Sequence, residues 1–445
     1  MFLQLLIDDA LAETPPGRVV WVALSGGLDS SLLLSLTAES CRRYPRPLYA
    51  LHVHHGLQAA ADDFEIHCRR LCSRLGVPLF VERVDVSLSA GLGLEGGARL
   101  ARYSAFERRV ACGETLWLAQ HRDDQAETFL LAALRGSGVR GLAGMPTRRD
   151  ARGVALERPL LDTPRSALEA HAARLGLRWI EDPSNADESL DRNFLRRNVL
   201  PLLQSRWPHT GEVLASAARQ AGEADALLDE LAALDLQHLG GDPGQLSVTA
   251  VRALSPPRQR LLIRHACRCL SLPTPPEARL AALMAQLSAR RDARVQIGWS
   301  SGEARIWRER LYLRFPSGPL PAGWSVDWDG LSPLTTPLGR CNPTLRRRDG
   351  GPAELRLALR RGGERLRLAE RGSRDLKRLL QEAELPPWER ERLLVAWHGE
   401  AVVAVLQPEQ GRWLAVAEGW EGAPDSGEAA QLPSLANSPS RSSMS

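Results

Sequence analysis

The chain has 445 residues, 44% of them hydrophobic and 25% charged, with a formal net charge of +4 at pH 7. That composition is of a soluble globular protein too long for one ordinary core, so two or three domains are expected and an obvious polycation is excluded. No apolar run reaches transmembrane length, and no basic stretch precedes the opening Met-Phe-Leu-Gln-Leu-Leu-Ile, so neither a span nor a signal peptide is expected. Seven cysteines, an odd number without a CxxC pair, point to the reducing cytoplasm and give no cysteine metal site. Nearly all the positive charge is arginine, which binds phosphate bidentately and stacks on bases, although a high-GC genome would produce the same bias.

Val19 to Leu24 reads as a buried strand and Leu28 to Leu36 as a helix, joined by Ser25-Gly26-Gly27. A strand, a glycine turn and a helix N-terminus make an anion site. The glycines let the backbone approach without a Cβ, while free N–H groups and the helix dipole face negative charge. Ser25, Gly26, Gly27, Leu28, Asp29 and Ser30 are thus the candidate phosphate-binding residues. Asp29 would repel a phosphate unless Mg²⁺ bridged the two, which makes it the candidate metal ligand. A Walker loop needs a lysine after its second glycine, and the only lysine in the chain is Lys377.

Strands and helices then alternate. Pro47 to Val53 is predicted as a strand, Ala61 to Leu75 a helix, Val77 to Val86 a strand and Glu95 to Ala111 a helix. Thr115 to Ala119 follows as a strand and Asp124 to Leu134 as a helix. This pattern implies parallel βαβ units in a doubly wound α/β sheet, with ligands at the carboxyl ends of its strands. The second strand leads into His52-Val-His-His-Gly-Leu57 and the fourth into His121-Arg-Asp-Asp-Gln-Ala-Glu-Thr128, so four of the ten histidines fall at these two strand ends. Asp124 and Glu127, three apart at a helix start, either face one site together or merely complement the helix dipole. Glu95, Arg99 and Arg102 share a helix face beside Tyr103, as a site wall or as a solvated face.

Residues 158–203 read as a helical continuation in which Arg192 and Arg196, four apart, form a basic face open to phosphates or to acidic neighbours. A leucine- and alanine-rich helix, about 212–238, leads to an α+β stretch with a hairpin pairing Val295–Ile297 and Ala304–Trp307. A Pro/Gly-rich linker is expected over about 316–345. A last folded piece carries Arg360-Arg-Gly-Gly-Glu-Arg365 and Gly372-Ser-Arg-Asp-Leu-Lys377, and a Ser/Pro-rich tail is expected to be disordered. The expected division is 1–211 catalytic, 212–320 a helical/α+β middle domain, 345–424 a small α+β C-terminal domain and 425–445 tail.

The Ser25-Gly-Gly-Leu-Asp-Ser30 stretch resembles the pyrophosphate loop of the N-type ATP pyrophosphatases, whose members transfer AMP from ATP and release pyrophosphate. Together with the His52 and His121 blocks, Ala101-Arg-Tyr103, Arg135-Gly-Ser-Gly138 and Gly141-Leu-Ala-Gly-Met145, it resembles one family closely, the tRNA(Ile)-lysidine synthetases. Glu181-Asp-Pro-Ser-Asn185, Arg192-Asn-Phe-Leu-Arg196, Arg361-Gly-Gly-Glu-Arg365 and Ser373-Arg-Asp-Leu-Lys377 extend the likeness. His54 departs from it, since many members have asparagine there.

The resemblance implies ATP-dependent attachment of free L-lysine to C2 of the wobble cytidine in the CAU anticodon of an isoleucine tRNA, through an adenylated cytidine. It implies catalytic roles for Asp29, Arg102, His121, Asp124 and Glu127, with the two last holding the lysine ammonium and Arg102 meeting the cytidine or its phosphate. RNA contacts are implied for Arg99, Arg135, Arg192, Arg196, Arg361, Arg365 and Lys377, and tRNA binding for both later domains. The oligomeric state stays open, a homodimer included. Rival readings are a loop-sharing tRNA thiolase, which generally needs paired cysteines or an iron–sulfur cluster, an amidotransferase-type ligase, and a non-catalytic nucleotide-binding protein.

Overall fold

The computed structural model describes residues 2–56, 60–85, 93–151, 153–288 and 295–424. The chain divides into two compact units, residues 1–234 and 235–445. The expected tail, 425–445, lies outside the described residues, as does Leu57.

In the first unit the order is α1 (Phe2–Glu13), β1 (Val20–Ala23), α2 (Leu28–Arg43), β2 (Leu48–His54), α3 (Ala60–Leu75), β3 (Leu79–Arg83), α4 (Gly93–Arg109), β4 (Thr115–Trp117) and α5 (Arg122–Leu134). It continues with α6 (Val139–Leu142), β5 (Arg148–Ala151), β6 (Val154–Glu157), α7 (Arg165–Arg174), α8 (Asp191–Phe194), α9 (Leu200–Arg206) and α10 (Thr210–His238). The sheet order is β3-β2-β1-β4-β6-β5, parallel throughout except for the antiparallel β5–β6 pair at one edge. Both faces are covered, as the unbroken apolar runs of β1 and β4 require. Val20, Val22 and Trp117 pack with Leu3, Ile7 and Leu11 of α1, Leu32 and Leu33 of α2, Leu71 of α3 and Leu168 of α7. On the opposite face Trp21, Leu51 and Leu116 pack with Phe106 and Val110 of α4.

The predicted β1–β4 and α2–α5 are present, with ends shifted by a few residues except that α2 continues seven residues beyond Leu36, to Arg43. Three expectations need correction. His52 and His54 lie within β2, not beyond it, because the strand extends to His54. The stretch after 158 is not wholly helical: the β5–β6 hairpin precedes it, and a 3₁₀ turn (Pro183–Ala186) interrupts it. The third correction concerns the linker, below.

The second unit opens with a four-stranded antiparallel sheet ordered β7-β10-β9-β8, where β7 is Gln245–Ser247, β8 Val295–Trp299, β9 Gly302–Trp307 and β10 Arg310–Arg314. The predicted hairpin is the β8–β9 pair, with Ile297 opposite Ala304. Helices α11 (Val248–Ala253), α12 (Pro256–Cys269) and α13 (Glu277–Gln286) close this core through Leu262, Ile263, Leu280 and Leu283. The expected linker then carries four strands: β11 (Ser325–Trp328), β12 (Leu334–Thr336), β13 (Gly339–Cys341) and β14 (Thr344–Arg347). They are followed by β15 (Leu355–Leu359), β16 (Arg365–Leu368), β17 (Gly372–Asp375), α14 (Leu376–Glu382), α15 (Pro387–Arg390), β18 (Leu394–His398), β19 (Ala401–Gln407), β20 (Arg412–Val416) and β21 (Trp420–Ala423). β11 joins the sheet β11-β15-β18-β19-β16-β17, while β14 pairs with β21. The stretch 325–347 is therefore built into the same folded body as 355–423.

Candidate active site

The strand order reverses between β1 and β4, and the segments that leave these two strands face each other across the switch point where open α/β sheets bind ligands. Past β1, Gly26 takes φ +93°, and a Cβ there would lie 3.2 Å from Phe64 Cδ1 and 3.3 Å from Cys68 Sγ. The positive φ favours glycine, and a Cβ would also press Phe64 and Cys68 to give by a few tenths of an ångström. The Ile180 N–H donates to Gly26 O at 3.1 Å and pins the loop from outside. Ser30 Oγ sits 3.0 Å from Ser25 Oγ and accepts from the Ser25 N–H at 3.1 Å, drawing the loop's two ends together over the start of α2. Gly27 is the N-cap of α2 without a side-chain cap, which leaves the first-turn N–H groups to a ligand.

Asp29, in that first turn, lies 3.8 Å from Nε2 of His121, the residue at the N-cap of α5. His121 is buried among three acids: its Nε2 is 3.5 Å from Asp124 Oδ2 and its Nδ1 3.6 Å from Asp123 Oδ2. These are ionic contacts, longer than hydrogen bonds. Burial favours the neutral imidazole, but Asp123, Asp124 and Asp29 outweigh it and raise the His121 pKa above 6.5. Burial also pushes Asp123 up, yet contact with His121 and the Arg165 N–H, which donates at 2.9 Å, bring it down to about 2. Asp29 moves up, because burial outweighs the pull of His121, Arg165 and Arg196. Its Oδ1 is buried and accepts no hydrogen bond.

That orphaned oxygen beside a phosphate-binding turn fits a divalent cation shared with phosphate oxygens, which needs only one or two protein carboxylates. Among the described residues no cluster of three His, Cys, Asp or Glu could hold a metal alone.

Glu127 is completely buried one turn along α5. Arg196 donates to it twice, Nε to Oε1 at 2.6 Å and Nη2 to Oε2 at 2.9 Å, and reaches Asp124 Oδ1 at 3.1 Å. Arg192 adds an ion pair, Nε to Oε2 at 2.9 Å, while its Nη2 donates to Thr128 Oγ1 at 2.9 Å. Burial raises the Glu127 pKa against Arg196; burial lowers that of Arg196, but Glu127 and Asp124 prevail and keep it cationic. Arg196 stands on a single π turn, Leu195–Val199, between α8 and α9. Such turns are frequent at functional sites. Pro201, lacking an N–H, cannot continue the α-helical bonding there.

Asp29, His121, Asp124, Glu127, Arg192 and Arg196 therefore form one contiguous site, in which Arg192 and Arg196 meet acidic neighbours. The other histidines have separate surroundings. His52 Nδ1 donates to Leu24 O at 2.8 Å, supporting the end of β1, and burial lowers its pKa. His54 pairs with Asp62 at 3.1 Å. Burial and the charge of Arg102 lower the pKa of His55. Arg99 is exposed and lies 5.0 Å over the Tyr103 ring, and Arg135 is exposed and paired with Asp191 at 3.4 Å. The Glu95 side chain lies outside the described residues.

Sequence reading missed Asp123 and Arg165 as supports of His121 and Asp29. It also missed Gln125, whose amide donates to Met145 O and accepts from Met145 N, both at 2.7 Å, clamping the Arg135–Met145 loop to α5. A His-x-Asp-Asp-Gln run was visible, but only the fold shows which acid meets the imidazole.

One expected result follows from the His121 cluster. A raised folded pKa stabilises the fold fully below the unfolded value of 6.5, and the effect is lost as pH rises through the folded value. The stability difference between wild type and His121→Asn, measured by urea unfolding, should be largest below about pH 6.5 and shrink above it. A difference constant from pH 5 to 9 would mean His121 is neutral in the folded site.

Family models match three stretches: a PP-loop domain over residues 3–203, a TilS substrate binding domain over 246–312 and a TilS substrate C-terminal domain over 355–426. A protein named tRNA(Ile)-lysidine synthase from Xanthomonas axonopodis pv. citri is 44% identical over 429 residues, covering 93% of this chain and 96% of its own. Its namesake from Pseudomonas putida is 45% identical over 399 residues, covering 86% and 91%. Another from Alkalilimnicola ehrlichii is 43% identical over 404 residues, covering 89% and 91%. A solved structure, the U34-tRNA thiolase NcsA from Methanococcus maripaludis with its 4Fe–4S cluster, overlaps 49% of this chain and 78% of its own at 17% identity and TM-score 0.40.

Proposed function

We propose a reaction from one premise: this chain belongs to the tRNA(Ile)-lysidine synthase family. It is an ATP-dependent ligase that modifies a tRNA. The specific reaction we propose is attachment of free L-lysine to C2 of the wobble cytidine in the CAU anticodon of an isoleucine tRNA, forming lysidine in the cytoplasm. The observation that carries it is the continuity of the phosphate-binding turn with the acid–arginine cluster, through Asp29, His121 and Asp124.

In the first step the cytidine C2 oxygen attacks the α-phosphorus of ATP and pyrophosphate leaves. Ser25 to Ser30 hold the β- and γ-phosphates, and Arg102 binds the cytidine or its phosphate. Asp29 would hold Mg²⁺, which would neutralise charge on the departing pyrophosphate. In the second step the lysine ammonium gives up one proton to become the amine that attacks C2, the C2–O bond breaks as AMP leaves, and the newly bonded nitrogen loses a second proton. Asp124 and Glu127 hold the incoming ammonium and are the candidates to take its proton, with His121 beside Asp124. Arg99 and Arg135, exposed on this unit, are candidates for the tRNA backbone.

The deciding experiment is mass analysis of isoleucine tRNA after incubation with ATP and lysine. The first anticodon position should gain lysine less one water, only when lysine is present, and methionine tRNAs with the same anticodon should stay unmodified. A sulfur-for-oxygen shift would instead indicate a thiolase.

The second unit supplies a further expectation. Arg361, Arg365 and Arg374 are exposed around β16 and β17, with Lys377 exposed on α14. Removing residues 316–445, a cut placed ahead of β11, should weaken tRNA binding and leave ATP binding intact. Loss of about four phosphate contacts lowers the slope of log K against log salt by roughly 3. An unchanged slope in filter-binding assays would assign this region to folding alone.

A further inference from the structure

We infer that Arg196, bridging Asp124 and Glu127, occupies the position the lysine ammonium must take, so that ATP must draw its guanidinium away before lysine can bind. The inference rests on the reading of Asp124 and Glu127 as the ammonium holders. Glu127 is fully buried, and one guanidinium engages both of its oxygens at 2.6 and 2.9 Å while also touching Asp124 at 3.1 Å. Arg192 covers the remaining approach to Oε2 at 2.9 Å. The two carboxylates best placed to hold a cation already hold one, and it belongs to the protein.

The neighbouring anion site supplies a reason for that cation to leave. From the Arg196 guanidinium the chain of contacts runs through Asp124 and His121 to Asp29, in steps of 3.1, 3.5 and 3.8 Å. A triphosphate seated on the Gly26–Gly27 turn brings its charge next to Asp29, and a planar guanidinium binds phosphate in the same bidentate way it binds carboxylate. Once Arg196 turns to the phosphates, Glu127 keeps Arg192 and Asp124 keeps His121, but the gap between the carboxylates lacks one positive charge. A compact ammonium with three donors fills that gap. Lysine then enters after ATP, beside a nucleotide already committed to the site.

Coupling of this kind is reciprocal, and a site populated in its open form only a small fraction of the time binds correspondingly weakly. Equilibrium dialysis of the full-length protein with labelled L-lysine, with and without α,β-methylene-ATP, reads it directly. Lysine should bind about tenfold or more tightly with the analogue, and lysine should tighten the analogue by the same factor. Arg196→Gln should bind lysine without nucleotide and lose most of the difference. Arg196→Lys, which keeps a charge near Glu127 but cannot fork, should show an intermediate difference if the glutamine variant does not fold. Equal lysine affinity with and without the analogue in wild type, or no lysine binding with it present, overturns the inference. If lysidine forms while lysine affinity ignores nucleotide, the inference alone fails; if no lysidine forms at all, the functional reading fails first.

Discussion

Replacing Asp29 by alanine should cut AMP and pyrophosphate formation by about 10²-fold or more while leaving the fold as stable as before. The two halves of that expectation have one cause. Asp29 Oδ1 is buried and accepts no hydrogen bond, and burial raises its pKa, so the carboxylate is held at a cost in the fold. A group held that way is explained by what it meets when substrate is present. Its removal spares the protein a desolvated charge and deprives the pyrophosphate of its metal-bearing partner. Chromatography of the nucleotide products and a thermal melt together decide the matter. Full turnover in the variant would reduce Asp29 to a helix-start charge, and ADP as the main product would remove the pyrophosphatase chemistry altogether.

Glu127→Gln should separate the two chemical steps and also destabilise the protein. Glutamine keeps the shape but cannot neutralise Arg196 and Arg192, whose side chains are only 30% and 28% exposed. Breaking a buried pair from one side costs about 3–5 kcal/mol, and partial hydration of the arginines puts this case near the lower figure. Adenylation needs the phosphate turn and Asp29, which Glu127 does not touch, whereas lysine transfer needs the ammonium held. Adenylated tRNA should therefore accumulate in a rapid-quench assay. Loss of both steps in parallel would place Glu127 around ATP.

The α/β alternation was legible because each strand and helix carries its own apolar period and its own glycine stop, as with Gly76 after α3 and Gly113 before β4. The hairpin of β8 and β9 was legible for the same reason, its partners being adjacent in the chain. The strands β11 to β14 were not. β11 and β14 pair with the distant β15 and β21, and β12 and β13, though they pair with each other, are three residues each, too short to show a period. Helix α1 carries Leu3, Ile7 and Leu11 at four-residue spacing, but so short an apolar stripe at the chain's start does not by itself mark a helix packed on the sheet. At the site, the residue types were readable and their partners were not. Arg192 and Arg196 form one face as their spacing suggested, yet that face turns inward to Glu127, more than sixty residues away in sequence. Likewise only tertiary structure puts the backbone of Arg165 against Asp123.

The antiparallel β5 that ends the first unit's sheet bears on how the protein behaves when crowded. Its outer edge offers unpaired backbone groups, the usual template for adding a strand from another molecule. Three consecutive residues there, Arg148, Arg149 and Asp150, are charged and exposed. An incoming strand would have to strip water from all three before gaining its first ladder hydrogen bonds. The edge thus acts as a terminator of growth, and self-association by extending this sheet is disfavoured even where local concentration is high.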